Sequence, residues 1–123
     1  MRNGWLGAFD ASPDRAGPLF EHLVLNQISA GAAARDLDVR ISSYRTEHGA
    51  EVDFVVEIGR EVWALELKAS RNVPQAALRG LRAFADFYGK RHRPLVLYMG
   101  GEPRRIAGID VMPWQPALKA MGL

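Results

Sequence analysis

The sequence predicts an α/β domain in which helices flank a mixed sheet of four to five strands. Three observations predict this class: a helical periodicity early in the chain, three strand-like segments in succession after it, and a later apolar run typical of a strand buried on both faces. Of the 123 residues, 48% are hydrophobic and 24% are charged, which is close to the globular average and excludes a disordered chain. Cysteine is absent, which excludes a disulfide scaffold and thiol catalysis.

This length is typical of one domain. Turn-forming dipeptides predict that residues 1–17 are an irregular lead-in, and residues 18–123 are expected to fold as a single unit. A first helix is predicted from Pro18 to Ala30, because Pro18 suits the first helical position and Gly31 the C-terminal stop. The residues that recur near helical spacing are Phe20, Leu23, Val24, Gln27 and Ile28.

Three strands should follow the first helix as a meander. Their predicted ranges are Val39 to Thr46, Glu51 to Ile58, and Glu61 to Ala69. A second helix is expected from Pro74 to about Tyr88, with Gly89 as its C-terminal cap. The remaining predicted elements are a buried fourth strand over Pro94 to Met99, a short strand over Ile109 to Met112, and a helix after Pro113.

The hairpin between the second and third strands concentrates the polar chemistry. A turn centred on Gly59-Arg60 pairs Ile58 with Glu61, and the same register sets Asp53 opposite Glu66. Alternation predicts one charged face and one apolar face. The charged face holds Glu51, Asp53, Glu66 and Lys68, and the apolar face holds Val52, Phe54, Val56, Trp63, Leu65 and Leu67.

Directly opposed carboxylates destabilise a sheet, so the pairing of Asp53 with Glu66 calls for a compensating charge. A hard divalent cation would provide it, since Mg²⁺ is commonly held by one or two carboxylates together with substrate phosphates. Lys68, two residues beyond Glu66, could orient or deprotonate a water that attacks a phosphodiester. The alternative is a solvated strand face on which Lys68 simply bridges the acids.

Asp53, the hairpin and the run Glu66-Leu67-Lys68 together resemble the PD-(D/E)XK signature of restriction-endonuclease-like nucleases, whose core has the order helix, three strands, helix, strand. From about Gly17 onward the chain resembles more closely a domain of unknown function that follows the ATPase module in many AAA-type ATPases. The segments that carry this resemblance are Leu19-Phe20-Glu21-His22, Tyr44-Arg45-Thr46, Gly49-Ala50-Glu51-Val52-Asp53-Phe54 and Glu66-Leu67-Lys68.

The resemblance implies a restriction-endonuclease-like fold and assigns roles to individual residues. Asp53 and Glu66 would be metal-binding carboxylates, the Leu67 carbonyl would add a ligand, and Lys68 would be the catalytic lysine. Glu21 would match the acidic residue that many such nucleases present from the first core helix; its alternative is an exposed helix charge. The chain departs from the pattern at Val52, where the signature has proline, and at Gln75 and Arg79, which do not complete a Q-x-x-x-Y motif.

Four further residues are candidates for contacts with nucleic acid: Arg45, Arg79, Arg82 and His22. The alternatives are an ion pair for Arg45, a solvated helix face for the other two arginines, and a structural or exposed role for the histidine. The formal net charge of +2 permits a polyanionic partner without requiring one.

We therefore expect a Mg²⁺- or Mn²⁺-dependent nuclease that acts on nucleic acid, with DNA favoured over RNA. The competing hypothesis is a non-catalytic module that binds DNA or a partner on behalf of an ATPase, of which this chain would be a fragment. Cutting both strands would need two sites, hence a homodimer or a larger assembly. No stretch reaches the length of a signal or a bilayer span, so we expect a cytoplasmic location and no membrane partner.

Overall fold

The computed structural model describes residues 13–123, with side chains from residue 17 onward. In chain order the elements are α1 (Pro13–Ala34), β1 (Val39–Arg45), β2 (Glu51–Ile58), β3 (Glu61–Lys68), a 3₁₀ turn (Gln75–Leu78), α2 (Arg79–Tyr88), β4 (Arg93–Tyr98), β5 (Arg104–Ile106), β6 (Ile109–Pro113) and α3 (Trp114–Ala120). Over this part of the chain the strands form one mixed sheet of six, in the order β1-β2-β3-β4-β6-β5. The α/β class is confirmed, with one strand more than the upper expectation.

The sheet lies between two helical layers. On one face α1 and α3 bury an apolar cluster that includes Val24, Ile28, Leu65 and Leu97. On the other face α2 buries a second cluster around Leu81. β4 contributes to both clusters, because Leu95 and Leu97 point to one and Val96 and Tyr98 to the other. This confirms the prediction of a strand buried on both faces.

Helix α1 extends beyond its predicted ends. The lead-in prediction lies outside the described residues for 1–12 and is wrong for 13–17, which are helical. Pro18 is inside the helix, and Gly17 before it has no Cβ to meet the proline ring. Gly31 does not end the helix, because the strong helix formers Ala32–Ala34 continue it and Ala32 is buried in the core. Within residues 13–123 no helix has the length and apolar content needed to cross a bilayer.

The β2–β3 hairpin forms around Gly59-Arg60 as predicted. The ladder pairs Ile58 with Glu61 and continues in that register to Phe54 and Leu65. Gly59 has a φ of 59°, the sign that a type II′ turn requires at its first central position. The ladder ends there, so the predicted pairs Asp53–Glu66, Val52–Leu67 and Glu51–Lys68 are absent from the β2–β3 register of the described sheet.

β3 leads to the parallel strand β4 through a crossover. The second helix begins as the 3₁₀ turn after Pro74, becomes α-helical at Arg79, and ends at Gly89, whose φ of 64° confirms the predicted cap. β5 was not predicted, because it has only three residues, two of them arginines, and no hydrophobic alternation. It pairs antiparallel with β6 through the turn Ala107-Gly108.

Candidate functional site

The candidate site lies where β2 and β3 separate. Glu66 and Lys68 are near the carboxyl end of β3, which is the edge at which ligands bind to open α/β sheets. Asp53 lies on β2 beside this edge. The structure therefore brings the three residues of the predicted signature to one end of the hairpin, although Asp53 and Glu66 are not cross-strand partners as predicted.

A β-bulge positions Asp53. In the β1–β2 ladder Ser42 pairs with Val55 and Tyr44 pairs with Val52, so Asp53 and Phe54 together oppose the single residue Ser43. A bulge bends its strand and re-aims a side chain, and bulges are over-represented next to active sites. The extra residue also changes the faces of β2: Val52 packs in the α2 cluster, whereas the prediction placed it on the face of Phe54 and Val56.

The Asp53 carboxylate holds the backbone of β3 next to Glu66. Its Oδ2 accepts a hydrogen bond from the Leu67 amide at 2.7 Å. Had the hairpin register continued, Leu67 would lie opposite Val52. The side chain of Asp53 thus takes the place of a backbone acceptor where the ladder has ended, and this contact fixes the two strands relative to one another.

Glu66 is a buried acid, and one of its two carboxyl oxygens lacks a hydrogen-bond partner among the described residues. Its relative exposure is 8%, and it is the one buried charged residue in the described part of the chain. Oε2 lies 3.7 Å from Lys68 Nζ, whereas Oε1 has no hydrogen-bond partner among the described residues. A buried polar atom without a partner carries the cost of its lost hydration. That oxygen is therefore available to bind a donor or a cation.

The carboxyl groups of this site hold their protons more tightly than usual. Burial, followed by the negative charge of Asp53, raises the pKa of Glu66 from 4.5 to about 8, and Lys68 offsets part of the rise. Burial also raises the pKa of Asp53, against the lowering effect of the Leu67 hydrogen bond. Without a compensating cation, both groups ionise less readily here than in water.

We expect the stability of the metal-free protein to fall as the pH rises from about 4.5 to about 8. In this window Glu66 keeps its proton in the folded protein but releases it in the unfolded chain. The contribution of protonated Glu66 to the free energy of unfolding is therefore complete below pH 4.5 and is lost by about pH 8. The slope is limited to about 1.4 kcal/mol per pH unit for one group. Urea unfolding in EDTA should show that Glu66→Gln gains stability over the wild type as the pH rises. The exposed Glu102→Gln control should follow the wild type, and parallel curves for Glu66→Gln and wild type would contradict the pKa assignment.

Glu21 comes near the site from α1. It lines a hollow of about 310 Å³ with Ser43, Tyr44, Arg45, Glu51, Val52 and Asp53. Burial and the charges of Asp53 and Glu51 raise the pKa of Glu21. Within the described residues no three His, Cys, Asp or Glu side chains form a group that could hold a metal ion, and the role of Glu21 as a third acid of the site stays a prediction.

The predicted basic contacts are distributed unequally. Arg45 lines the hollow and pairs with Glu51 at 3.1 Å. Arg79 donates from Nη2 to the His48 carbonyl at 2.8 Å, which ties the start of α2 to the β1–β2 turn.

The other two candidates lie on helix surfaces. Arg82 is exposed on α2, and His22 is exposed on α1, where its Nε2 lies 3.2 Å from the Asn26 amide nitrogen. Of the four candidates, Arg45 is thus the one that the structure puts in the hollow.

Sequence reasoning missed Ser43 and Tyr44 as lining residues, and it missed the bulge. The consecutive apolar residues Val55 and Val56 indicate a strand buried on both faces, and each is buried in a different cluster. This signal concerns burial and does not mark the bulge, which depends on pairing with β1.

The chain matches, over residues 16–116, a family described as a domain of unknown function, DUF4143. The match contains α1 from residue 16 onward, the whole described sheet and the candidate site. No curated protein matches the sequence.

Proposed function

The chain belongs to the DUF4143 family, whose description assigns no activity, and from the site itself we propose a nuclease-like domain of the PD-(D/E)XK type that hydrolyses phosphodiester bonds of nucleic acid with Mg²⁺ or Mn²⁺. The observation that carries the proposal is the arrangement of Glu66. A buried carboxylate has one oxygen beside Lys68 and the other free of described partners, next to the amide that Asp53 binds. A buried oxygen without a partner costs the fold stability, and a proton shared between Glu66 and Asp53 or a bound cation would offset that cost.

The donor set fits a hard divalent cation. Asp53 and Glu66 converge at the site and Glu21 and Glu51 lie near them, and the two bases of this region, Arg45 and Lys68, are already paired. Mg²⁺ takes oxygen ligands, keeps several waters, and is usually bound by one or two protein carboxylates with substrate phosphates. Asp53, Glu66 and the Leu67 carbonyl are the groups that would hold it. A closed nitrogen and sulfur site of the zinc type does not fit these residues.

When bound, the ion would stabilise the negative charge that develops on the phosphodiester during attack. The protein's own residues have separate tasks. Asp53 fixes the strand that carries Glu66 through the Leu67 amide, and Glu66 positions Lys68 by their 3.7 Å ion pair. Lys68, whose side chain is about one-third exposed, orients the attacking water, and it would have to be in its neutral amine form to accept the proton of that water. Arg45, at the rim of the hollow, is placed to contact a phosphate.

The same proposal extends to the setting in which the site works. The substrate is nucleic acid, with DNA favoured, and cutting both strands requires a homodimer or a second site in a larger assembly. Family members are often found in AAA-type ATPase proteins, which supports action together with an ATPase module. The cysteine-free sequence suits the reducing cytoplasm, the location that we propose.

Metal binding and cleavage test the proposal together. We expect Mn²⁺ binding by titration calorimetry and cleavage of a panel of single-stranded, duplex and branched nucleic acids, with both weakened in Asp53→Asn. Asparagine retains a carbonyl that can accept the Leu67 amide, so the change removes charge with little change of shape. We expect metal affinity to fall by 10-fold or more, on the order of one lost charged ligand. Glu102→Gln, an exposed acid elsewhere, is the matched control.

The second candidate function is a non-catalytic module that binds DNA or a partner. It is favoured by one observation: in the described part of the chain, two carboxylates converge at the hairpin and no third acidic or histidine side chain joins them. Salt-sensitive DNA binding that survives Asp53→Asn, without cleavage in Mn²⁺, would support this module and overturn the nuclease proposal.

A further inference from the structure

An aromatic shelf lies beside the candidate site, between α2 and the edge strand β1. We use this name for Tyr44, Phe84, Phe87 and Tyr88. The Tyr44 ring is centred 5.3 Å from Phe84 and 5.2 Å from Phe87, and Phe84 stacks on Tyr88 at 5.1 Å. With Ser42, Ser43, Val55, Glu57 and Val62, the four rings line a hollow of about 260 Å³.

Phe87 is the exposed part of this shelf. Its relative exposure is 71%, the highest of the exposed large hydrophobic residues in the described chain. Phe84, three positions earlier, already fills the core side of the helix. Phe87 contacts Tyr44 but leaves most of its ring in solvent, and an exposed aromatic ring next to a hollow offers a surface on which a base can stack.

The shelf is continuous with the acidic hollow. Ser43 and Tyr44 line both the aromatic hollow and the hollow that contains Asp53. A single β1 segment, the one opposite the β2 bulge, thus forms the boundary between them. The two hollows therefore share lining residues at the edge strand, and a ligand long enough to pass around β1 could contact both.

Positive charge accompanies the aromatic rings. Lys90 Nζ lies 5.8 Å from the centroid of Tyr88, at the end of α2, and Arg91 follows it in an exposed position. The hollow itself holds one acid, Glu57, which lies opposite Arg40 in the β1–β2 ladder. Aromatic rings next to basic side chains, here Lys90 and Arg91, are the combination that binds bases and phosphates of an unpaired strand.

We propose that the aromatic shelf binds unpaired nucleotides by stacking a base on Phe87 and Tyr44, so that the preferred substrate of the carboxylate site is single-stranded nucleic acid or an unpaired segment next to a duplex. This inference rests on the proposed function, because it names the substrate class of that site. Bases inside a duplex hide their faces from a side chain, whereas an unpaired base can exchange its solvent contact for the aromatic ring.

Binding measured without catalysis tests the shelf separately from the chemistry. In EDTA, fluorescence anisotropy with a labelled single-stranded oligonucleotide should show tighter binding than with the same sequence as a duplex. Phe87→Ala should weaken single-strand binding by at least about fivefold, the lower limit for loss of one stacked base. Phe87→Trp should restore it, since it keeps a stacking surface. Leu37→Ala removes a large exposed apolar side chain elsewhere, at 39% exposure, and should leave binding unchanged.

Each outcome separates the shelf from the nuclease. Loss of binding in Phe87→Ala without any cleavage by the wild type in Mn²⁺ would uphold the shelf and overturn the nuclease proposal. Cleavage that is equal on duplex and single strands, with Phe87→Ala binding both as the wild type does, would overturn the shelf and leave the nuclease. If analytical ultracentrifugation instead showed a wild-type dimer that Phe87→Ala converts to monomer, with oligonucleotide binding unchanged, the shelf would be a contact between copies of this chain and the proposal would be wrong.

Discussion

Lys68→Ala should slow cleavage by about 10²- to 10⁴-fold while leaving metal binding intact. Lys68 Nζ lies 3.7 Å from Glu66 Oε2 and its side chain is partly exposed, so it can reach a water at the site without forming part of the carboxylate pair. A positioned group that moves a proton in the transition state contributes typically about 10²- to 10⁴-fold. We expect a loss of that size in single-turnover cleavage with Mn²⁺, while the calorimetric Mn²⁺ affinity changes by less than the Asp53→Asn variant shows.

Lys68→Arg distinguishes the two tasks of the lysine. Arginine keeps the positive charge beside Glu66 but does not give up its proton in proteins. If Lys68 accepts a proton from water, the arginine variant should be nearly as inactive as the alanine variant; if it acts by charge alone, cleavage should be largely retained. Lys119→Ala, an exposed lysine on α3, is the control. Wild-type rates in Lys68→Ala would remove the lysine from the mechanism.

The acidic site was predictable from the sequence because its residues lie in one hairpin. Turn chemistry at Gly59-Arg60 and period-two alternation are local rules, and they correctly set the register from Ile58–Glu61 to Phe54–Leu65. The Glu66-Leu67-Lys68 run keeps its place on β3 whatever the rest of the chain does. Hence the identity of the site's residues could be inferred before their geometry.

The geometry of Asp53 could not be predicted, because it depends on a third strand. The bulge is a register shift between β1 and β2, and the turn and alternation rules that predict the β2–β3 hairpin say nothing about pairing with β1. The same limit applies to α1, which runs past Gly31 because Ala32 finds a buried place against the sheet. The local sequence favours a helix end at Gly31, but tertiary packing stabilises the helix beyond that residue.

The close approach of α2 to β2 is a further feature that sequence periodicity does not reveal, and Gly80 makes it possible. A Cβ built on Gly80 would lie 1.7 Å from the Glu51 carbonyl oxygen and 2.6 Å from its carbon, which are backbone atoms that cannot rotate away. Glycine inside a helix normally costs about 1 kcal/mol relative to alanine. At this position we expect alanine to lower the stability instead, because its methyl group would force α2 away from the strand that carries Asp53.

Gly80→Ala should therefore destabilise the protein by roughly 3 kcal/mol, at the upper end of overpacking in a closely packed interior. The measurement is urea unfolding followed by circular dichroism in EDTA. Arg82→Ala, on the exposed side of the same helix, should change stability by less than about 0.5 kcal/mol. Because Glu51 lies two residues before Asp53, the part of the Gly80→Ala population that stays folded should also bind Mn²⁺ more weakly. Unchanged or increased stability in Gly80→Ala would mean that α2 does not pack on Glu51 as described, and the position of the bulge relative to α2 would then be wrong as well.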